Sequence, residues 1–108
     1  MIVGNNTSRI GSNVSSNGDT CTITVNGNFD FNQVKSFREA YTKLDPMPNA
    51  VVVDMRHANT IDSAALGMLI NLKKHLGKAD GEIAIQNCNP TVKKILAIAR
   101  FDVLFRID

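Results

Sequence analysis

Only two cysteines occur among the 108 residues, and they do not form a Cys-x-x-Cys pair. That is too few for the disulfide framework of a small secreted domain, and it points to a reduced, cytosolic setting. No apolar run is long enough to span a bilayer, and the opening stretch MIVGNNTSRI has neither the basic start nor the apolar core of a signal peptide. The expected location is therefore the cytoplasm, without membrane insertion. Charge of one sign is also scarce, since 12 Lys and Arg against 10 Asp and Glu leave a formal charge of +2. Lys73 with Lys74, and Lys93 with Lys94, read as solvated helix faces, so direct nucleic-acid binding is not expected.

Motifs that carry chemistry are equally sparse. The two histidines, His57 and His75, lie far apart, with no carboxylate or thiol at ligand spacing to either, so no metal site is expected. Gly-x-Ser-x-Gly and a glycine-rich phosphate loop are both missing. The chain is accordingly not expected to be an enzyme or to carry a catalytic residue or cofactor, and any nucleotide would have to be held by a partner.

What is present is an ordinary globular composition, 44% hydrophobic and 20% charged, in a length that one modest core can serve. A single domain over 1–108 is expected. Between Thr20 and Gly27, apolar Cys21, Ile23 and Val25 alternate with Thr20, Thr22 and Thr24. This is the period of a strand with one buried face, and it places Cys21 in the core. The Asn17-Gly18 pair suits a hairpin turn from an earlier strand between Ile10 and Ser15. Asp30 opens a helix, with Gln33 three positions on as in a capping box, and Phe31, Val34, Phe37, Tyr41 and Leu44 form its inward stripe. The prolines of DPMPN end it.

AVVVDM (50–55) is a continuous apolar run that reads as a strand buried on both faces, followed by a loop, RHANTI (56–61). The spacing predicts a helix over Ser63–Leu76, with Lys73, Lys74 and His75 at its negative end and Gly77 as its stop. GEIAIQN (81–87) is another strand. Asn89 caps a third helix that has Pro90 in its first position and Val92, Ile95, Leu96 and Ala99 facing inward. VLFRI (103–107) closes the sheet. Alternating strands and helices after a hairpin give an α/β fold, and right-handed crossovers gather the loops that follow the strands at one edge, where Ser63 lies.

In the stretch IDSAALGMLI (61–70), two polar residues, Asp62 and Ser63, interrupt an apolar run. Ser63 is either an N-cap, worth about 1 kcal/mol, or a hydroxyl held out for chemistry. The two are compatible, because a phosphate there would bring about −1.5 to −2 charges to the positive end of a helix. Gly67, one turn in, reads as a place where a side chain would collide with a neighbouring loop or a partner, since propensity alone favours alanine.

From VVVDMRHANT to FDVLFRI the chain resembles the second half of a STAS domain, the anti-sigma factor antagonist family. That family carries Asp-Ser, then Ser or Thr, Gly, Leu, Gly, at a helix start after a hydrophobic strand. Asp62, Ser63, Leu66 and Gly67 fall in those places, while Ala64 replaces the second hydroxyl and Ala65 the glycine. GNFDF (27–31) is similar to the family's Gly-x-Leu-Asp segment and brings Asp30 near the same surface.

The resemblance implies a STAS-like mixed β-sheet with an N-terminal hairpin and three to four helices packed on it. It also implies a partner-switching protein of bacterial transcription control. Unmodified, such a protein binds an anti-sigma factor or related serine kinase, which holds the ATP; phosphorylated on Ser63, it lets go; a serine phosphatase restores binding. The implied partner-binding residues are Asp30, Asn59, Asp62, Ala64, Leu66 and Gly67. The alternative is a constitutive STAS subunit of a transport ATPase or sensory complex, in which Ser63 is only a cap.

Overall fold

The computed structural model describes residues 10–14, 18–44, 48–78 and 82–108. In chain order the elements are β1 (Ile10–Val14), β2 (Thr20–Phe29), a 3₁₀ turn (Phe31–Gln33), α1 (Val34–Thr42), β3 (Ala50–Ile61), α2 (Ser63–Leu76), β4 (Ile83–Gln86), α3 (Pro90–Ile98), a second 3₁₀ turn (Phe101–Val103) and β5 (Arg106–Ile107). They build one five-stranded sheet in the order β1-β2-β3-β4-β5. β1 runs antiparallel to β2, Val14 opposite Cys21, and the remaining pairs are parallel. The expected hairpin is present, although Ser15 and Asn17 of its turn fall outside the described residues.

Because each parallel crossover steps the same way along the sheet, right-handedness puts α1, α2 and α3 on one face. Burial in β2 and β3 follows that rule, while in β4 Ile83, Ala84 and Ile85 are all buried. Cys21, Ile23 and Val25 of β2 and Val51, Val53 and Met55 of β3 are buried, whereas Thr20, Thr22, Thr24, Val52 and Asp54 between them are half-buried. The expectation that AVVVDM is covered on both faces is thus corrected. Valine suits a half-exposed strand as well as a buried one, so the residue run does not reveal that only one face carries helices.

RHANTI is also strand rather than loop. β2 continues to Phe29 and supplies partners up to the pair Phe29↔Ile61, while register shifts after Thr24 and after Gly27 give β3 extra residues. These bulges break the period-2 pattern by which a strand is read. Gly27, on β2 between the two shifts, has φ 76°, in the left-handed region that favours glycine.

α2 has the expected bounds and stops at Gly77, φ 64°. In α3 the side chain of Asn89 accepts from the Val92 amide, and Pro90 takes the first helical position. Its Val92 and Leu96 are buried, with Ile95 and Ala99 partly so. VLFRI contributes less strand than expected: only Arg106 and Ile107 pair with β4, because the chain first folds into a 3₁₀ turn that stacks Phe101 on Phe105, ring centroids 5.5 Å apart.

The expected stripe of α1 divides. Phe37 and Tyr41 are buried, Leu44 is half-buried, and Phe31 and Val34 are 72% and 39% exposed. At about 100° per residue Phe31 falls roughly 120° round from Phe37, and the opening 3₁₀ turn does not restore the phase. Inside, rings run from β2 across α1 to α2: Phe29 to Phe37 at 5.0 Å, Phe37 to Tyr41 at 5.9 Å, Tyr41 to His75 at 5.1 Å. Among the described residues no helix is long and apolar enough to cross a membrane.

Candidate functional site

β2 and β3 end side by side at the pair Phe29↔Ile61, and an aspartate follows each. Asp30 Oδ1 accepts the Asn32 amide at 3.0 Å and so caps the 3₁₀ turn that leads into α1. Asp62 Oδ1 accepts the Ala65 amide at 2.9 Å and caps α2, while its Oδ2 accepts the amide of Phe31 at 3.2 Å. One carboxylate therefore ties two strand-to-helix turns together, backed by the Asp62 amide on the Phe29 carbonyl at 3.2 Å. Beside them, Asn89 caps α3 and donates from Nδ2 to the carbonyls of Ala58 and Asn59, both at 3.0 Å. The amino-terminal starts leading into all three helices thus gather at one sheet edge, which concentrates positive dipole ends and free amides there.

Ser63 is the first residue of α2, and it is exposed. The capping assigned to it belongs to Asp62 instead, because the strand runs to Ile61 and leaves position 62 extended, at φ −113°. The Ser63 hydroxyl has no hydrogen-bond partner among the described residues, which leaves it as a free nucleophilic or acceptor group at a helix start.

Around it, Asp62 is exposed and Asp30 half-buried, Ala64 and Leu66 are half-buried, and Gly67 and Asn59 are exposed. Ala65, the residue in the place of the family's glycine, is fully buried and packs in the core. A Cβ added at Gly67 would meet nothing within 4 Å. The anticipated collision with a neighbouring loop is therefore absent, and Gly67 lies open to whatever docks there.

The residues proposed from the sequence come together on this edge, but Phe31 and Val34 were assigned to the core. They flank it as exposed apolar side chains, and Phe31 is held by Asp62. Angular arithmetic on the stripe finds Phe31, whereas Val34, about 60° round from Phe37, stays within it and no sequence signal sets it apart.

Other reactive groups lie elsewhere. His75 sits in the last turn of α2, roughly 18 Å along the helix from Ser63 at about 1.5 Å per residue. Cys21 is fully buried, as expected, and burial pushes the half-buried Cys88 thiol up, against the opposing pull of Lys93. Asp54 on β3 feels desolvation, which raises its pKa, but bonds from Asn87 Nδ2 and the Arg56 amide, both 2.9 Å, together with the charges of Arg56 and His57, hold it below its ordinary value. No group of three or more metal-ligating side chains occurs among the described residues.

The model of the STAS domain family matches residues 12–108. A STAS-domain containing protein of Pseudomonas aeruginosa strain UCBPP-PA14 is 45% identical over 94 residues, covering 87% of this chain and 93% of the relative. Among solved structures, the anti-sigma factor antagonist SpoIIAA in its unphosphorylated form superposes with a TM-score of 0.72 at 16% identity, over 92% of this chain and 87% of that one. The phosphorylated form of the same Bacillus protein gives 0.67 at 15% identity, over 92% and 90%. A sulfate transporter family protein from Wolinella succinogenes gives 0.69 at 15% identity, over 85% and 79%. The mixed sheet and packed helices expected from the resemblance are the fold these structures share.

Proposed function

The chain belongs to the STAS domain family, and on that premise we propose that it is an anti-sigma factor antagonist, a partner-switching protein controlled at Ser63. Residues 1–108 act as one STAS domain in the cytoplasm, without catalysis, metal or cofactor of their own and without direct contact to nucleic acid. Unmodified, the edge formed by Asp30, Asn59, Asp62, Ala64, Leu66 and Gly67, with Phe31 and Val34 beside it, docks an anti-sigma factor that is also a serine kinase. The observation that carries this reading is the exposed, unbonded hydroxyl of Ser63 on a helix start already capped by Asp62.

Within such a complex the kinase brings ATP, and Ser63 Oγ attacks the γ-phosphorus. The new O–P bond replaces the bond to the β-phosphate oxygen, ADP leaves, and the hydroxyl proton passes to a base of the kinase. The phosphate adds about −1.5 to −2 charges where the Ser63 and Ala64 amides are unused, so the fold tolerates it. The docked partner does not, since that charge stands between two aspartates and next to Phe31 and Leu66, where desolvation is costly. A serine phosphatase restores the binding form by hydrolysis.

A second reading, a constitutive STAS subunit of a transport ATPase or sensory complex, draws support from Ala64 and Ala65, which depart from the hallmark. Pull-downs from the native host with wild-type and Ser63→Ala bait, followed by phosphosite mapping, separate the two. Switching requires phosphate on wild-type Ser63 and stronger retention of an anti-sigma kinase by Ser63→Ala. Ser63→Glu should bind that partner roughly 100-fold or more weakly. Equal retention by wild-type and Ser63→Ala baits, undiminished binding by Ser63→Glu and no phosphate at Ser63 would leave the constitutive subunit.

A further inference from the structure

Away from the Ser63 edge, α1 and α2 enclose an open groove of about 300 Å³ lined by Arg38, Tyr41, Asn71 and His75. The pairs Arg38/Tyr41 and Asn71/His75 stand three and four residues apart, so each helix turns both of its side chains to the same side. Every one of the four carries a donor or a ring nitrogen on its side chain, and none of these side chains makes a hydrogen bond or ion pair with another described residue. Among the described residues no Asp or Glu lines the groove. Burial pushes the Tyr41 phenol up, with the Arg38 guanidinium pulling it down, so both groups share this space and the phenol keeps its proton. The tilted contact of the Tyr41 and His75 rings, 5.1 Å and 59°, fixes the floor.

A guanidinium without a carboxylate among the described residues, beside a phenol, a carboxamide and an imidazole whose polar atoms make no hydrogen bond there, offers several donors to an incoming acceptor. Arg presents a planar fork that matches an oxyanion with two parallel bonds, and the volume lies at the small end of ligand-sized clefts. We propose that this groove binds a small phosphate-bearing molecule, with the phosphate on Arg38 and His75 and the neighbouring atoms of the ligand against Tyr41 and Asn71. The site is separate from Ser63 and does not depend on the switching reading.

The test is an amide NMR titration of the whole chain with inorganic phosphate, and with acetate in a second arm. Saturable shifts centred on Arg38, Tyr41, Asn71 and His75, with a Kd of about 1 mM or tighter, are expected for phosphate and not for acetate. Arg38→Gln should weaken binding about tenfold or more, as loss of a charge-assisted bond does. Asn71→Asp, which puts a carboxylate into the groove, should abolish it. Melting temperatures of both variants verify that the exposed substitutions leave the fold intact. Absence of saturation, shifts confined to the start of α2, equal response to acetate, or binding that survives Arg38→Gln each overturns the assignment.

Discussion

The carboxylate of Asp62 accepts the backbone amide of Phe31 at 3.2 Å while it caps its own helix through Ala65 at 2.9 Å. Asp62→Ala removes both bonds and should cost about 1 to 2 kcal/mol, the upper range for a helix cap. Asn has a single acceptor oxygen, so Asp62→Asn should fall between that variant and the wild type. Urea unfolding checks the order, and equal midpoints for wild type and Asp62→Ala would falsify the two-turn tie.

Phe31 and Phe37 stand in the same sequence segment with opposite burial, 72% and 1% exposed. Phe37→Ala should destabilise by about 3 to 5 kcal/mol, whereas Phe31→Ala should change stability by less than about 0.5 kcal/mol. In the proposed docking edge the second variant carries the larger effect on association, a loss of about tenfold or more if the ring anchors a partner. Calorimetry of each variant with an anti-sigma kinase identified by pull-down would reveal whether those two effects separate.

Gly67 lies within α2 with nothing within 4 Å of an added Cβ. Gly67→Ala should therefore stabilise the isolated chain, by up to about 1 kcal/mol from helix propensity. If partner backbone approaches there, the same methyl should weaken docking. A gain in melting temperature with undiminished affinity would remove Gly67 from the interface.

Asp54 is held below its ordinary pKa despite desolvation, by bonds from Asn87 and Arg56 and by nearby positive charge. A depressed folded-state pKa gives stability that is present above the unfolded value and lost as pH falls through the folded one. Wild type should exceed Asp54→Asn in melting temperature near neutrality, and the gap should close below about pH 4. A gap independent of pH would mean that ionisation of Asp54 is not its source, and no gap at any pH would mean that Asn87 and Arg56 bond the amide equally well.

The bounds of α2 were legible because both ends carry chemistry of their own, polar Asp62 with Ser63 at one and Gly77 at the other. Which of the two polar residues caps could not be read. Either side chain can do it, and the choice depends on β3 running to Ile61, a length hidden by bulges that scramble the alternation of Arg56 to Thr60. Strand–helix alternation placed the loop of Asp62 and Ser63 at one sheet edge, the resemblance of GNFDF brought Asp30 there, and the place of Asn89 beside them came only with the fold. The exposure of Phe31 was legible only in angle, since three- to four-residue spacing accumulates to about 120° between Phe31 and Phe37, and the 3₁₀ opening does not correct it. Short β5 escaped for a different reason, the Phe101–Phe105 stack that diverts VLFRI before it reaches the sheet. The groove at Arg38 and His75 needs two helices to meet, and no local pattern announces that.

The one-sided helix layer also sets how this domain should respond to solvent. With Thr20, Thr22, Thr24 and Val52 already half-hydrated when folded, unfolding uncovers less new apolar surface than in a sheet sandwiched between two helix layers of equal length. Denaturant sensitivity and the heat-capacity increment both scale with that newly wetted area. The chain should accordingly unfold over a broad denaturant range, with a shallow stability curve that changes little between cold and warm conditions.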